Sequence, residues 1–207
     1  MYEQPDAPVL QPGPGPFAMR VGDEIFVPFV TERTTTVDVQ LPAGSWIDYW
    51  EEDRVLSGTF PEYPAPPGRE PVFLKLGAII PMEVERDYTL HGTRESAGSL
   101  TVLVYPSGTS TFRYNNDETG IWTTFKSVLD GNKLTLTADS FPGMPILYRV
   151  ARMAAKPASV AVNGLTVLIN QAGDLPELES EGAVNESTES AWFYDGVARR
   201  LIVKVFP

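Results

Sequence analysis

The sequence predicts an all-β fold made of two consecutive antiparallel β-sandwich domains, and three observations carry that prediction. Apolar and polar residues alternate with period two over many short runs, as in TTTVDVQL at residues 34–41 and SLTVLVY at 99–105. Turn residues separate the runs at short intervals, with 19 prolines and 17 glycines in 207 residues. No segment sustains an apolar i, i+3, i+4, i+7 stripe, so crossover helices and a parallel sheet are not expected.

In chain order, residues 1–20 hold Pro5, Pro8, Pro12, Pro14 and Pro16, which remove backbone donors and imply an extended leader. A first sandwich is expected over 21–95. Its strands are 23–30, where Pro28 suggests an edge or a bulge, and 34–41, which enters a Pro42/Gly44 turn. Residues 61–71 read as a Pro-rich connection. Residues 72–81 (VFLKLGAIIP) read as one strand buried on both faces, with Gly77 as a bulge. The polar stretch 83–99 places the domain boundary near residue 95.

The second sandwich, 96–207, starts at 99–105, where Leu100, Val102 and Val104 share one side. Further strands are expected at 111–114, 121–129, 133–138, 146–153, 159–162, 165–169, 191–194 and 200–206. Asp130-Gly131-Asn132 and Asn163-Gly164 are hairpin signals. Residues 149–156 (RVARMAAK) fit one or two helical turns, and 177–190 (ELESEGAVNESTES) reads as a solvated acidic loop. That loop contains a glycosylation sequon, Asn185-Glu186-Ser187.

Composition removes several functional classes. A net charge of −11 disfavours nucleic acid, whose phosphates need clustered cations. With no cysteine there is no disulfide, thiol nucleophile or thiolate metal site, and the single His91 precludes an imidazole triad within one chain. No apolar run approaches the ~18–20 residues of a membrane span, and residues 1–10 lack the pattern of a signal peptide. Neither a phosphate loop nor a Gly-x-Ser-x-Gly elbow is present. The turn 115–118 (NNDE) is rich in oxygen ligands but lacks the spacing of a calcium loop, and the competing reading is a turn capped by its own side chains. No cofactor or metal site is expected.

The most informative stretch is 41–50, LPAGSWIDYW, in which Trp46, Tyr49 and Trp50 follow the turn. These three are the candidate carbohydrate-binding residues, because flat apolar sugar faces suit indole and phenol rings. The competing reading is a plug that fills the end of a sandwich. Tyr63, Trp122 and Trp192 extend the set of aromatics. The spacing Trp46-x-Asp48-x-x-Glu51 also sets a carboxylate beside a tryptophan.

Three stretches in this order, 22–28 (GDEIFVP), 41–50 and 70–81 (EPVFLKLGAIIP), resemble the region that follows the barrel in glycoside hydrolase family 31, the α-glucosidase and α-xylosidase family. Residues 103–106, 112–120 and 160–164 resemble that family's distal C-terminal domain. The resemblance implies a proximal and a distal β-sandwich, with the catalytic aspartates on a (β/α)₈ barrel that this chain lacks. The family's nucleophile motif, Trp-x-Asp-Met-Asn-Glu, shares the spacing of residues 46–51, but Tyr49 and Trp50 replace its Met and Asn. Those residues match instead the family's Leu-Pro-x-Gly-x-Trp-x-Asp-Phe-Trp segment in the proximal sandwich. Asp48 therefore inherits a structural role, bonding turn amides, and no catalytic residue is assigned. The implied partner is a barrel of a parent or partner chain, with an oligosaccharide as the further ligand.

Overall fold

The computed structural model describes residues 10–12, 17–31, 34–84 and 96–206, arranged as two compact units, Met1–Ala78 and Ile79–Pro207. Almost every regular element is a strand. Among the described residues no helix is long and apolar enough to cross a membrane.

The first unit contains β1 (Leu10–Pro12), β2 (Ala18–Val21), β3 (Ile25–Pro28), β4 (Thr36–Gln40), β5 (Trp46–Asp48), β6 (Val55–Leu56), β7 (Thr59–Pro64) and β8 (Phe73–Lys75). Six of these form one antiparallel sheet in the order β1-β2-β3-β8-β5-β6, and β4 and β7 form a separate ribbon. Part of the proline-rich leader is thus built into the sheet as a hairpin strand; residues 1–9 and 13–16 lie outside the described residues. Phe26, Trp46 and Phe73 from the sheet meet Val39, Leu41 and Tyr63 from the ribbon and its exit in one buried cluster. The rings pack tilted or edge-on, with Phe26–Trp46 centroids 6.0 Å apart and Tyr63–Phe73 centroids 5.2 Å apart. A bulge interrupts the ribbon between Val37 and Val39. Opposite it, Glu62 takes a φ of 52°, and its amide donates to Asp38 Oδ1 at 3.0 Å.

Residues 72–81 are not one strand. Gly77 has a φ of 97°, open to glycine without steric cost, and Ala78 N closes a turn on Lys75 O at 3.0 Å. The run therefore splits into β8 in the first unit and β9 (Ile79–Glu83) in the second. The units divide after Ala78 and not near residue 95, because β9 pairs with β10 (Leu100–Val104) from Ile79↔Val104 to Glu83↔Leu100. Of the polar stretch 83–99, residues 85–95, including His91, lie outside the described residues.

The second unit continues with β11 (Thr109–Asn115), β12 (Trp122–Asp130), β13 (Lys133–Ala138), β14 (Ile146–Val150), β15 (Val160–Asn163), β16 (Thr166–Ile169), α1 (Glu181–Glu186), β17 (Ala191–Asp195) and β18 (Arg200–Val205). Two five-stranded sheets, β17-β18-β14-β10-β9 and β11-β12-β13-β16-β15, enclose one core that draws Leu100, Val102, Tyr148 and Val203 from the first and Phe125, Leu136 and Val167 from the second. Both hairpin signals are realised, with Asp130↔Lys133 and Asn163↔Thr166 as the closing pairs and Gly131 and Gly164 at φ near 59° and 55°. One pairing departs from the antiparallel expectation. β10 and β14 run parallel, because β11, β12 and β13 carry the chain into the other sheet before it returns.

Two local expectations fail for tertiary reasons. Residues 149–156 form no helix: Arg149 and Val150 belong to β14, Ala151 N bonds Val104 O at 2.9 Å, and Met153 N bonds Arg199 O at 2.9 Å. The acidic stretch 177–190, read as loop, contains α1. Ser180 Oγ caps it by accepting from Ala183 N at 3.1 Å, and Val184 packs with Leu147 and Ile202. Arg149 pairs with Glu181 in its first turn, and Lys204 Nζ donates to Asn185 O at 2.6 Å and Ser187 O at 3.0 Å at its end, where a cation is favoured. Asn185 is 4% exposed, so the sequon is buried and unsuited to glycosylation in the folded chain.

Inside this sandwich, Tyr148 sits edge-on to Phe125 with its hydroxyl buried and without a hydrogen-bond partner among the described residues. An unpaired buried hydroxyl costs about 1–3 kcal/mol. Tyr148→Phe keeps the ring and removes that cost, so urea unfolding should show a stability equal to or above the parent chain. A loss of more than about 1 kcal/mol would mean that the hydroxyl is paired.

Candidate functional site

The candidate residues fall on the turn from β4 to β6. Pro42 and Gly44 end β4, and Gly44 takes a φ of 114°. The chain then runs down β5, whose three residues are all buried. Trp46 is 1% exposed and its Nε1 donates to Pro42 O at 2.9 Å, so the indole closes the turn from inside the core. It is a plug and offers no face to a sugar. Tyr49 and Trp50 are half-buried and meet edge-to-face at 5.0 Å. Trp50 Nε1 donates to Glu70 O at 2.7 Å, and the Arg69 guanidinium lies 5.3 Å over its ring. Trp50 thereby pins the proline-rich connection to the turn.

Asp48 is 5% exposed and both carboxylate oxygens are engaged. Oδ1 accepts from Trp50 N at 2.7 Å and Glu51 N at 3.2 Å, an Asx-type turn, and Oδ2 accepts from the Tyr63 hydroxyl. Arg54 completes the group: Nη1 reaches Tyr63 Oη at 3.3 Å and Glu51 at 3.6 Å, and its guanidinium lies 4.9 Å over the Tyr63 ring. The recess lined by Asp48, Trp50, Glu51, Arg54, Tyr63 and Arg69 encloses about 80 Å³. Small-molecule sites occupy roughly 300–1,000 Å³. Retaining glycoside hydrolysis needs a second carboxyl group across a cleft that admits a sugar ring. Here the only other carboxylate, Glu51, is tied to Arg54.

The turn 115–120 is likewise organised by its own side chains. Asn116 is 1% exposed; its Oδ1 accepts from Glu118 N at 2.9 Å and Thr119 N at 3.0 Å, and its Nδ2 donates to Pro142 O at 2.8 Å. Among the described residues no three His, Asp or Glu side chains gather as a metal group.

Two of the remaining aromatics are structural as well. Tyr63 is 5% exposed, and Trp192, also 5% exposed, donates Nε1 to Leu175 O at 2.8 Å. Trp122 is half-buried, as Trp50 is, and lies on the outer face of β12. Nothing in the sequence separates these two half-buried tryptophans from Trp46 and Trp192, because only packing decides which indole the core encloses. The link between Asp48 and Tyr63 was also missed, since it joins residues fifteen apart through the ribbon.

Three phenols carry an electrostatic consequence. Burial, then the Asp48 carboxylate, pushes Tyr63 well up; burial, then Glu83, pushes Tyr114 up to about 12; burial alone raises Tyr148. In the unfolded chain these phenols ionise near pH 10. The folded chain holds their protons above that pH, so their contribution to stability is full below about pH 10 and falls as pH rises toward the folded values. An absorbance titration of the 8 tyrosines should show a late group that ionises only with unfolding. Simple titration of all of them near pH 10 would contradict the burial.

Comparison with known proteins agrees with this geometry. Residues 17–80 match the glycosyl hydrolase family 31 C-terminal domain. The isomaltosyltransferase of Sporosarcina globispora is 29% identical over 190 residues, which is 89% of this chain and 16% of that protein. A cycloalternan-forming enzyme from Listeria monocytogenes, solved with a pentasaccharide substrate, superposes with a TM-score of 0.73 at 30% identity, covering 91% of this chain and 17% of that one. The Flavobacterium johnsoniae family 31 dextranase shares the fold, with a TM-score of 0.68 at 21% identity over 91% of this chain and 25% of its own. The chain thus spans about a sixth of the length of the first two. With an all-β build, a match of residues 17–80 to the glycosyl hydrolase family 31 C-terminal domain and a likeness that extends over nine-tenths of its length, this chain is similar to the C-terminal region of family 31 enzymes.

Proposed function

We propose that the chain is a noncatalytic accessory module that supports carbohydrate hydrolysis or transfer by a family 31 (β/α)₈ barrel carried on a parent or partner chain. The observation that carries this reading is the state of Asp48, the one residue with nucleophile-like spacing. Both of its oxygens are committed to Trp50, Glu51 and Tyr63. A nucleophile must reach the sugar carbon in line with the bond it breaks, and this carboxylate is 5% exposed and held between turn amides and a phenol. The relatives' names add that the barrel would act on α-glucosidic linkages.

The bracing role is tested by mixing the purified chain with a family 31 barrel prepared without its own C-terminal sandwiches. The expected result is a longer thermal half-life or a higher turnover of the barrel. A barrel whose half-life and turnover are unaffected by a large excess of the chain would contradict it.

A further inference from the structure

We infer that the outer face of the β2–β3 hairpin is the surface on which a family 31 (β/α)₈ barrel docks. The two strands pair Met19 with Val27 and Val21 with Ile25, and Phe29 N donates to Phe17 O at 2.7 Å, which extends the ladder by one pair. Ala18 and Phe26 point toward the ribbon and pack into the first unit's core. Alternation then sets Phe17, Met19 and Val21 beside Ile25, Val27 and Phe29 on the opposite face. All six are apolar and none is buried: Phe17 is 58% and Phe29 43% exposed, and the other four are half-buried. An antiparallel sheet that turns one face to water carries polar residues there. This hairpin carries none, so its outer face is built to be covered.

The rest of the sheet agrees. Ile25 pairs with Leu74, Leu74 with Ile47 and Ile47 with Val55, so the same face continues apolar to the far edge, with Leu74 and Ile47 buried and Val55 exposed. Three of the four exposed large hydrophobics among the described residues, Phe17, Phe29 and Val55, therefore share this face, and Val197 stands apart in the β17–β18 turn. The occupant follows from chemistry and size. Apart from the Met19 thioether, a weak acceptor, the six side chains have no group to orient a sugar, and none carries a charge to hold an ion. A complex of two free copies takes about 20–30 residues from each side. Six side chains fall short of that and suit the smaller contact between domains joined in one protein. The match to the family 31 C-terminal domain starts at Phe17, and the likeness covers only 17% of the cycloalternan-forming enzyme, which leaves most of that enzyme to supply the covering surface.

This inference rests on the accessory reading, and its test separates the two. The full chain and the double variant Phe17→Ser/Phe29→Ser are each titrated into a family 31 barrel prepared without its own C-terminal sandwiches, with the barrel's thermal half-life as the readout. The double variant should need about tenfold more chain for the same protection. Val197→Ser, at an exposed apolar residue of the other unit, should match the parent chain. Circular dichroism and urea unfolding should show both variants as stable as the parent, because none of the three side chains is buried. Sedimentation of the chain alone should give a monomer. Full protection by the double variant, a double variant that unfolds because both rings belong to the core, or a parent dimer that the double variant breaks would overturn this inference and leave the accessory reading standing. A parent chain that gives no protection would overturn both.

Discussion

Trp46→Ala should destabilise the first unit by about 3–5 kcal/mol, the range for deleting a fully buried indole. The side chain is 1% exposed, its ring abuts Phe26 at 6.0 Å, and Nε1 satisfies Pro42 O at the turn that ends β4. Alanine opens a cavity between Phe26, Leu41 and Phe73 and leaves that carbonyl without its donor. Hydrogen exchange should show the loss over β3, β5 and β8 first, and urea unfolding should give its size. A cost below about 1 kcal/mol would place the indole outside the core and return Trp46 to the list of sugar-facing residues.

The second large effect is at Asp48. Asp48→Ala strips the acceptor from the Tyr63 hydroxyl and from the Trp50 and Glu51 amides. Buried donors left unpaired, after loss of bonds to a charged group, cost about 2–4 kcal/mol here. Asp48→Asn retains an oxygen for the two amides and loses the charge that draws the Tyr63 proton, so its cost should be roughly half as large. A structural carboxylate predicts this order, Ala worse than Asn, in thermal melting. Two variants as stable as the parent would mean that Asp48 is not what joins the turn to the ribbon.

What the sequence made legible follows the range of each signal. The hairpins at Gly131 and Gly164 were readable because the turn chemistry is local, and β13 was placed to the residue because alternation and turn agree there. The structural reading of Asp48 follows from the resemblance of residues 41–50 to the family's proximal-sandwich segment, and the Asx turn it forms with Trp50 and Glu51 is local. Its third bond, to Tyr63, could not, because β7 is brought there by the ribbon. The run 72–81 was misread because burial on both faces looks the same whether one strand or two supply it; only the positive φ of Gly77 separates β8 from β9. The helix α1 was hidden by its acidic composition. Its stability comes from Arg149, Lys204 and Leu147, all on distant strands, and six residues of intrinsic propensity would not sustain it. The same limit applies to Trp46, Tyr49 and Trp50: the sequence shows three aromatics at a turn, and only packing divides them into a core plug, an edge partner and a clamp on Glu70.

The measurement that bears most directly on the noncatalytic reading is turnover of aryl α-glucoside and aryl α-xyloside by the purified chain, with circular dichroism establishing that it is folded. The account predicts a folded β-rich chain with no turnover above the uncatalysed rate, unchanged in Asp48→Asn. Turnover that persists through repurification and disappears in Asp48→Asn would contradict it, because Asp48 would then have an oxygen free to act on substrate.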